Sequence, residues 1–161
     1  LARTSNTPGR TQQLNFFNLG DRLTLADLPG FGYARAPREN VRQWTELVGD
    51  YLRGRASLRR TCLLIDARHG IKSNDRDVMA MLDRAAVSFQ VILTKCDKIK
   101  AAELAAREAE IARELATHVA AHPSLIVTSS TKGAGIEALR AALAALTLKG
   151  QGGSSPPDKI Y

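Results

Sequence analysis

The sequence predicts an α/β fold built around a mostly parallel sheet. From residue 61 onward, short apolar runs alternate with longer segments whose apolar residues recur at helical spacing, the pattern of successive β-α units. Before residue 61, two short alternating runs flank a Gly-Asp pair, which predicts an antiparallel hairpin. The chain has 161 residues, 44% apolar and 24% charged. This composition suits one globular domain and excludes a disordered, collagen-like or disulfide-built chain.

The first third of the chain contributes a hairpin, a loop and a helix. The hairpin strands are predicted at residues 14–19 and 23–27. The next segment, residues 28–33, contains one proline and two glycines, which predicts a loop. From about residue 38 to residue 55, apolar positions recur at helical spacing and predict a helix with one buried stripe.

The remainder alternates strands and helices. Continuous apolar runs predict strands buried on both faces, and longer amphipathic segments predict helices packed on the sheet. We expect a domain over residues 1–147 and a flexible tail over 148–161, which is rich in Gly, Ser and Pro. The predicted elements are, in order, a strand at 62–66, a helix capped by Asn74 and Asp75, a strand at 89–93, a helix at 101–121, a strand at 125–127 and a helix at 136–146. The helix residues predicted to face the core are Val78, Met81, Leu82, Ala85, Leu104, Ile111, Leu115, Val119, Ile136, Leu139, Leu143 and Leu146.

Charge and composition favour a polyanionic partner. Lys and Arg number 23 against 16 Asp and Glu, a formal net charge of +7, which favours nucleic acid or ribonucleoprotein.

The sequence has no run of about 18 apolar residues and no secretory signal. Cys62 and Cys96 lie in apolar or motif-like runs typical of reduced thiols. We therefore expect a cytoplasmic chain without a membrane span.

One acidic residue at a predicted strand end suggests a guanine site. In open α/β sheets, ligands bind beyond the carboxyl ends of the strands, and residues 94–97 follow one such end. An ionised carboxylate at Asp97 only accepts hydrogen bonds, and guanine offers two adjacent donors, N1–H and N2–H₂, which adenine lacks. The aliphatic stem of Lys95 can lie along the base. The alternative is a strand end with a solvated lysine and a helix-capping Asp97.

Three other segments suit the rest of a nucleotide. Asp27 can hold Mg²⁺ through water, and Gly30 lets a backbone N–H approach a terminal phosphate. The Thr11 hydroxyl is a suitable second ligand for Mg²⁺. Residues 128–130 could place backbone N–H groups around the guanine carbonyl. Taken singly, each segment has a plain alternative. Residues 27–30 are also consistent with a Pro-Gly turn, the Thr11 segment with a linker, and residues 128–130 with a strand-to-helix loop.

The order and spacing of these motifs match those of the translation-factor-class GTPases. The chain resembles the EngB (YihA/YsxC-type) ribosome-biogenesis GTPases over residues 1 to about 147. The segment Pro-Gly-Phe-Gly-Tyr-Ala is the most specific of the matches. The matching stretches are residues 1–5, 8–12 and 27–34, Trp44 with Tyr51 and Leu52, residues 66–69 and 93–97, and Ser129 with Ser130.

The resemblance implies a three-layer P-loop GTPase fold that binds GTP or GDP with Mg²⁺. It implies a monomeric switch in assembly of the large ribosomal subunit, with ribosomal RNA as a partner, and a link to cell division and septation. Thr11, and Asp27 through water, would hold the metal. The residues that would contact the nucleotide are Gly9, Arg10, Thr11, Gln12, Asp27, Leu28, Pro29, Gly30, Thr94, Lys95, Cys96, Asp97, Thr128, Ser129 and Ser130.

The chain departs from the family at its beginning. The family starts with a strand, a Gly-x-x-x-x-Gly-Lys-Ser phosphate loop and a helix, but this chain begins with Leu1 and has no Gly-Lys pair. We expect it to be an N-terminally incomplete form of a longer protein, inactive as it stands and unable to hold the family fold alone. The alternative is a non-hydrolysing RNA- or ribosome-binding module that has lost its phosphate loop.

Two further expectations concern hydrolysis and RNA. Phe31 occupies the position where many GTPases carry a water-orienting Gln, so intrinsic hydrolysis should be slow, and no catalytic residue is assigned. A cluster of arginines follows the nucleotide-sensing loop and would contact RNA phosphates. The alternative is a solvated arginine face on an amphipathic helix. The candidates for RNA contact are Arg35, Arg38, Arg42 and Arg53.

Overall fold

A computed structural model describes residues 15–20, 22–28, 49 and 57–148. Within these ranges, strands and helices alternate along the chain in the predicted order. A short 3₁₀ turn, Cys96–Lys98, follows the fourth strand. The elements are β1 (Asn15–Leu19), β2 (Leu23–Asp27), β3 (Thr61–Asp66), α1 (Ser73–Arg84), β4 (Phe89–Thr94), α2 (Ala101–Leu115), β5 (Ile126–Val127) and α3 (Ile136–Leu148).

The strands form two sheets. Strands β1 and β2 pair antiparallel as the predicted hairpin, with Phe17 opposite Leu25. Strands β3, β4 and β5 form a parallel sheet in that order, with Leu63 opposite Val91 and Leu93 opposite Val127. Parallel order aligns the carboxyl ends of all three strands on one edge, which places Asp66, Thr94 and the residues after β5 side by side.

One face of the parallel sheet carries the main core. Leu63 and Ile65 of β3 and Phe89, Val91 and Leu93 of β4 alternate with their neighbours and therefore point to the same side. Helices α1 and α2 cover these strand residues with their own apolar stripes. The buried helix residues are Val78, Met79 and Leu82 of α1 and Ile111 and Leu115 of α2.

The outer strand β3 is not buried on both faces as its apolar run predicts. Leu64 is 66% exposed, whereas Leu63 and Ile65 are buried. Strand β3 lies at one side of the three-stranded sheet, and α1 and α2 cover the face that Leu63 and Ile65 occupy, so the Leu64 face lacks that cover. Residues 89–93 of the central strand β4 are buried throughout, as predicted.

Helix α2 ends six residues earlier than its Ala-rich sequence predicts. After Leu115, the N–H and Oγ1 of Thr117 both donate to the Glu114 carbonyl, which closes the helix in a tight turn. Tertiary contacts then hold the next residues, because Asp83 of α1 bonds His118 Nδ1 at 2.6 Å and accepts the Ala120 N–H. Val119, predicted to be in the core, is instead 93% exposed.

Three other element boundaries differ from prediction, as does the burial of residues in α1 and β5. Helix α1 begins at Ser73, with Lys72 as its N-cap, because the Asp75 carboxylate accepts the Lys72 N–H from the third helical position. Within α1, Met79 is fully buried although no prediction placed it in the core, whereas Met81 is half-buried and packs against the core as predicted. Strand β5 has two half-buried residues rather than three buried ones, and α3 extends two residues further than predicted.

Several predicted features lie outside the described residues. They are the Thr11 segment, the Pro29-to-Tyr33 loop and the tail. The predicted basic helix at 38–55 is described only at Gly49, which is helical and buried. Over residues 15–20, 22–28 and 57–148, no helix combines the length and the hydropathy needed to cross a bilayer.

Candidate functional site

The carboxyl edge of the parallel sheet brings Asp97 and Ser129 into contact. Asp97 lies in the 3₁₀ turn after β4, and Ser129 follows β5. The Ser129 hydroxyl donates to Asp97 Oδ1 at 2.6 Å and accepts the Lys132 N–H at 3.1 Å. Because Ser129 is fully buried, its hydroxyl has a fixed position and holds the carboxylate in one orientation. Lys98 Nζ approaches Asp97 Oδ2 at 3.3 Å from the solvent side.

Backbone hydrogen bonds join the two loops that carry these side chains. The Cys96 N–H donates to the Thr128 carbonyl, and the Thr128 N–H donates to the Leu93 carbonyl. The Thr128 hydroxyl also bonds the Leu93 carbonyl at 3.2 Å, and the Ser129 N–H bonds the Ala134 carbonyl. These bonds make residues 93–97 and 128–134 one connected unit, so the relative position of Asp97 and Ser129 is set by the backbone.

Lys95 and Asp66 form a second contact at this edge. Lys95 adopts a left-handed backbone conformation, with φ of 58°, between β4 and the 3₁₀ turn. Its Nζ lies 2.9 Å from Oδ2 of Asp66, the last residue of β3. Asp66 also caps the following loop, because its Oδ1 accepts the Arg68 N–H, and the Arg68 guanidinium pairs with both oxygens.

Both carboxylates are stabilised in their ionised form. The Ser129 hydrogen bond, and to a smaller extent the Lys98 ammonium, lowers the pKa of Asp97 below its ordinary value of 3.8. Hydrogen bonds from Arg68 and then Lys95 hold the pKa of Asp66 far below that value. At neutral pH both groups are therefore pure hydrogen-bond acceptors.

If the guanine site expected from the sequence lies here, replacing Ser129 by alanine should weaken guanine-nucleotide binding by roughly tenfold, because the Asp97 carboxylate loses its buried donor. The same change should raise the pKa of Asp97 toward its ordinary value. Carboxyl-carbon NMR and a nucleotide titration would measure the two effects. Thr131→Ala, an exposed neighbour in the same loop, is the matched control. An unchanged affinity in Ser129→Ala would remove this hydroxyl from the binding apparatus.

The lowered pKa values give a signed pH dependence. Because Asp66 and Asp97 bind protons more weakly in the folded state, their contribution to stability is complete above about pH 5 and is lost progressively as pH falls further. Asparagine imitates the protonated carboxyl group. The difference in urea midpoint between the chain and its Asp66→Asn/Asp97→Asn variant should therefore be constant from pH 7 to pH 5 and shrink below pH 4. A constant difference down to pH 2 would contradict these pKa directions.

The other predicted site residues are only partly located. Asp27 is exposed at the end of β2, and no hydrogen bond or ion pair among the described residues connects it to the loops after β4 and β5. The adjacent Leu28 packs against the main core, which brings the end of the hairpin to the parallel sheet. Ser130 is exposed beside Ser129. The remaining candidates, namely residues 9–12, Pro29, Gly30 and the four arginines Arg35, Arg38, Arg42 and Arg53, lie outside the described residues.

The histidines form no metal cluster. Among the described residues, no three His, Cys, Asp or Glu side chains are grouped so as to hold a metal ion. His118 is bonded to Asp83, and His122 Nδ1 lies 3.0 Å from the Ser124 hydroxyl. A magnesium ion held by one carboxylate through water, by a hydroxyl and by phosphate needs no such cluster.

Comparisons with known proteins agree with the resemblance. Residues 46–148 match the family described as Elongation factor Tu GTP binding domain. A Rhodospirillum rubrum protein named "Probable GTP-binding protein EngB" is 64% identical over 91% of this chain and 65% of its own length. A protein of the same name from Rhizobium meliloti is 57% identical over 89% of this chain and 70% of its own length. The chain belongs to the EngB family.

Solved structures confirm the predicted fold class. A crystal structure of a probable GTP-binding protein EngB matches this EngB chain with a TM-score of 0.70 at 18% identity, over 91% of this chain and 86% of the other. Elongation factor SelB from Methanococcus maripaludis, in complex with the GTP analogue GPPNHP, gives a TM-score of 0.64 at 23% identity over 87% of this chain and 29% of SelB. This EngB chain therefore shares the α/β fold of those proteins, while it spans 65% of the length of the R. rubrum relative.

Sequence reasoning missed one contact at the candidate site of this EngB chain. No prediction from the sequence paired Asp66 with Lys95, yet the Asp66 carboxylate holds the Lys95 ammonium. The parallel register gives the signal, because Asp66 lies opposite Thr94 and the next residue is Lys95. Asp66 and Lys95 are 29 positions apart in the sequence, and the pairing of β3 with β4 brings them into contact.

Proposed function

We propose that this EngB chain binds guanine nucleotide at the carboxyl edge of β4 and β5. The observation that carries the proposal is the Asp97 carboxylate, which is ionised and held by the buried hydroxyl of Ser129. An oriented acceptor matches the N1–H and N2–H₂ donors of guanine and leaves adenine without a partner. Lys98 is long and more than half exposed, so its ammonium can move to solvent and free Oδ2 for the base.

The phosphates and the metal would lie toward the hairpin. Asp27 ends β2 as an exposed carboxylate, which fits a water-mediated contact to Mg²⁺, and the contact of Leu28 with the main core brings this strand end to the parallel sheet. Thr11 would complete this half by its hydroxyl, and Gly30 by its backbone N–H. When bound, Mg²⁺ would neutralise phosphate charge.

The wider role we propose is a GTP-dependent switch in assembly of the large ribosomal subunit, with a link to cell division and septation. The family resemblance and the net charge of +7 support it, since ribosomal RNA is a polyanion. The arginines at 35, 38, 42 and 53 follow the segment predicted to sense the terminal phosphate. Their contact with RNA would therefore depend on the bound nucleotide.

A second candidate function is RNA or ribosome binding without hydrolysis. The observation that favours it is the net charge of +7, which suits a polyanionic partner with or without a bound nucleotide. The two candidates differ in base selection. In the first, guanine nucleotides bind more tightly than adenine nucleotides because Asp97 contacts the base; in the second, neither base is preferred.

Fluorescence titration with GTP, GDP, guanosine and ATP at one salt concentration tests the nucleotide site. We expect GTP to bind at least about 100-fold more tightly than ATP, because the Asp97 carboxylate rejects adenine. Equal affinities for GTP and ATP would contradict the proposed site. Isolated large ribosomal subunits, added with either GTP or GDP, then test the switch.

The RNA contact has its own test. Charge reversal at Arg38, Arg42 and Arg53 to Glu should weaken binding to the large subunit and make it less sensitive to salt, because fewer phosphates are neutralised. The matched control reverses the charge of three arginines on helices α1 and α2, namely Arg76, Arg84 and Arg113. Equal binding and an equal salt slope in the test variant and the unsubstituted chain would exclude this surface.

A further inference from the structure

We infer that Asp66 is a positioning residue for nucleotide binding, because its carboxylate fixes the side chain of Lys95 across the carboxyl edge of the sheet. The inference rests on the proposed guanine site. Lys95 leaves the chain just after β4, while its ammonium is held at the end of the neighbouring strand β3, 2.9 Å from Asp66 Oδ2. Its four-carbon stem therefore runs sideways from the end of β4 toward the end of β3.

The carboxylate of Asp66 is itself firmly held. Its Oδ1 accepts the Arg68 N–H at 3.0 Å and Arg68 Nε at 2.9 Å, and its Oδ2 accepts Arg68 Nη2 at 2.7 Å. The strand ends behind it are tied together as well, since the Ala67 N–H donates to the Thr94 carbonyl and the Thr94 hydroxyl donates to the Ile65 carbonyl. An acceptor so constrained can fix the direction of a flexible partner.

Lys95 needs such a partner. A lysine side chain with free rotamers loses considerable entropy when a ligand orders it, so a stem ordered beforehand binds more favourably. The left-handed backbone at Lys95 sets where the side chain starts, and Asp66 sets where it ends. Between these points the methylene groups offer a flat apolar surface, on the same edge of the sheet as Asp97, against which a purine ring can lie.

The ion pair is poorly suited to stabilising the fold. Lys95 is 52% exposed and Asp66 is 20% exposed, and ion pairs of this kind contribute little to folding. A positioning role and a structural role therefore predict different results. If Asp66 acts on Lys95, removing either side chain should weaken nucleotide binding, and the loss from removing Asp66 should depend on the presence of Lys95.

A double-mutant cycle on the full chain tests the inference, with fluorescent GDP as the probe. Asp66→Asn should weaken binding about five- to tenfold, and Lys95→Ala, which removes only the exposed ion pair, should shift the melting temperature by less than about 3 °C. In the Lys95→Ala background the same substitution should have no further effect, since there is no side chain left to position. Glu114→Gln is the matched control, because it removes a similarly exposed carboxylate from an ion pair with Arg76, away from the site.

Each outcome decides a different point. If the unsubstituted chain binds no guanine nucleotide, the proposed function fails and this inference fails with it. If it binds and Asp66→Asn binds within twofold of it, Asp66 has no role and the proposed function stands. Equal losses from Asp66→Asn with and without Lys95, or a loss matched by Glu114→Gln, would show a structural effect and overturn the inference.

Discussion

Replacing Asp97 by Asn should reduce GTP affinity at least about 100-fold and transfer the preference to xanthine nucleotides. The amide keeps the shape of the carboxylate but presents one acceptor and one NH₂ donor. That donor opposes the donors of guanine, and the uncompensated contact costs much more than the loss of one hydrogen bond. Xanthine carries a carbonyl at C2, which can accept from the new NH₂ group. Competition of XTP and GTP for one fluorescent probe would measure both effects.

The control for this substitution is Asp77→Asn, which neutralises an exposed carboxylate on α1 with the same change in net charge. The control separates base recognition from the general effect of charge on a phosphate ligand. Because Ser129 still meets an oxygen at position 97, the substitution should leave the free energy of unfolding close to that of the unsubstituted chain. If Asp97→Asn bound GTP as tightly as the unsubstituted chain, Asp97 would not read the base.

Substituting Gly135 by Ala should lower the free energy of unfolding by more than about 2 kcal/mol. Gly135 has φ of 69°, in the left-handed region, and an added Cβ would overlap the Val127 carbonyl oxygen of β5 and lie 3.3 Å from Thr128 Cα. Both contacts are with backbone, which cannot rotate away. The displacement would also reach the candidate site, because the Ser129 N–H bonds the carbonyl of Ala134. We therefore expect weaker nucleotide binding as well.

Gly133 provides the comparison for Gly135. Its φ is 74°, yet nothing lies within 4 Å of a Cβ built there. Gly133→Ala should therefore show only the conformational cost of a left-handed alanine, about 1 kcal/mol. Urea denaturation of both variants measures the difference. Equal destabilisation would mean that the close approach of Gly135 to β5 has no energetic consequence.

The elements that sequence predicted best are those whose local pattern and tertiary environment agree. Phe89 to Leu93 is a continuous apolar run, and it became the central strand, buried on both faces. The hairpin followed from its alternation and its Gly-Asp turn. The same strand-end logic brought Asp97 and Ser129 to one edge, where they form a hydrogen bond.

Predictions were wrong where a distant residue decided the outcome. The segment after Leu115 has helical composition, but Asp83 binds His118 and the Ala120 N–H and redirects the chain. The apolar run predicts that Leu64 is buried, but it is exposed because α1 and α2 cover the opposite face of β3. The pairing of Asp66 with Lys95 depends on strand register, which no local pattern encodes.

If groups at successive strand ends converge on one guanine nucleotide and its metal ion, those groups should respond to the nucleotide together. Heteronuclear NMR of the chain, titrated with Mg²⁺-GDP and then with Mg²⁺-GTP, measures this response. We expect Asp27, the Lys95-to-Asp97 turn and Ser129 all to shift with one common dissociation constant. Shifts at Asp97 and Ser129 that leave Asp27 unchanged, or two separate dissociation constants, would contradict it.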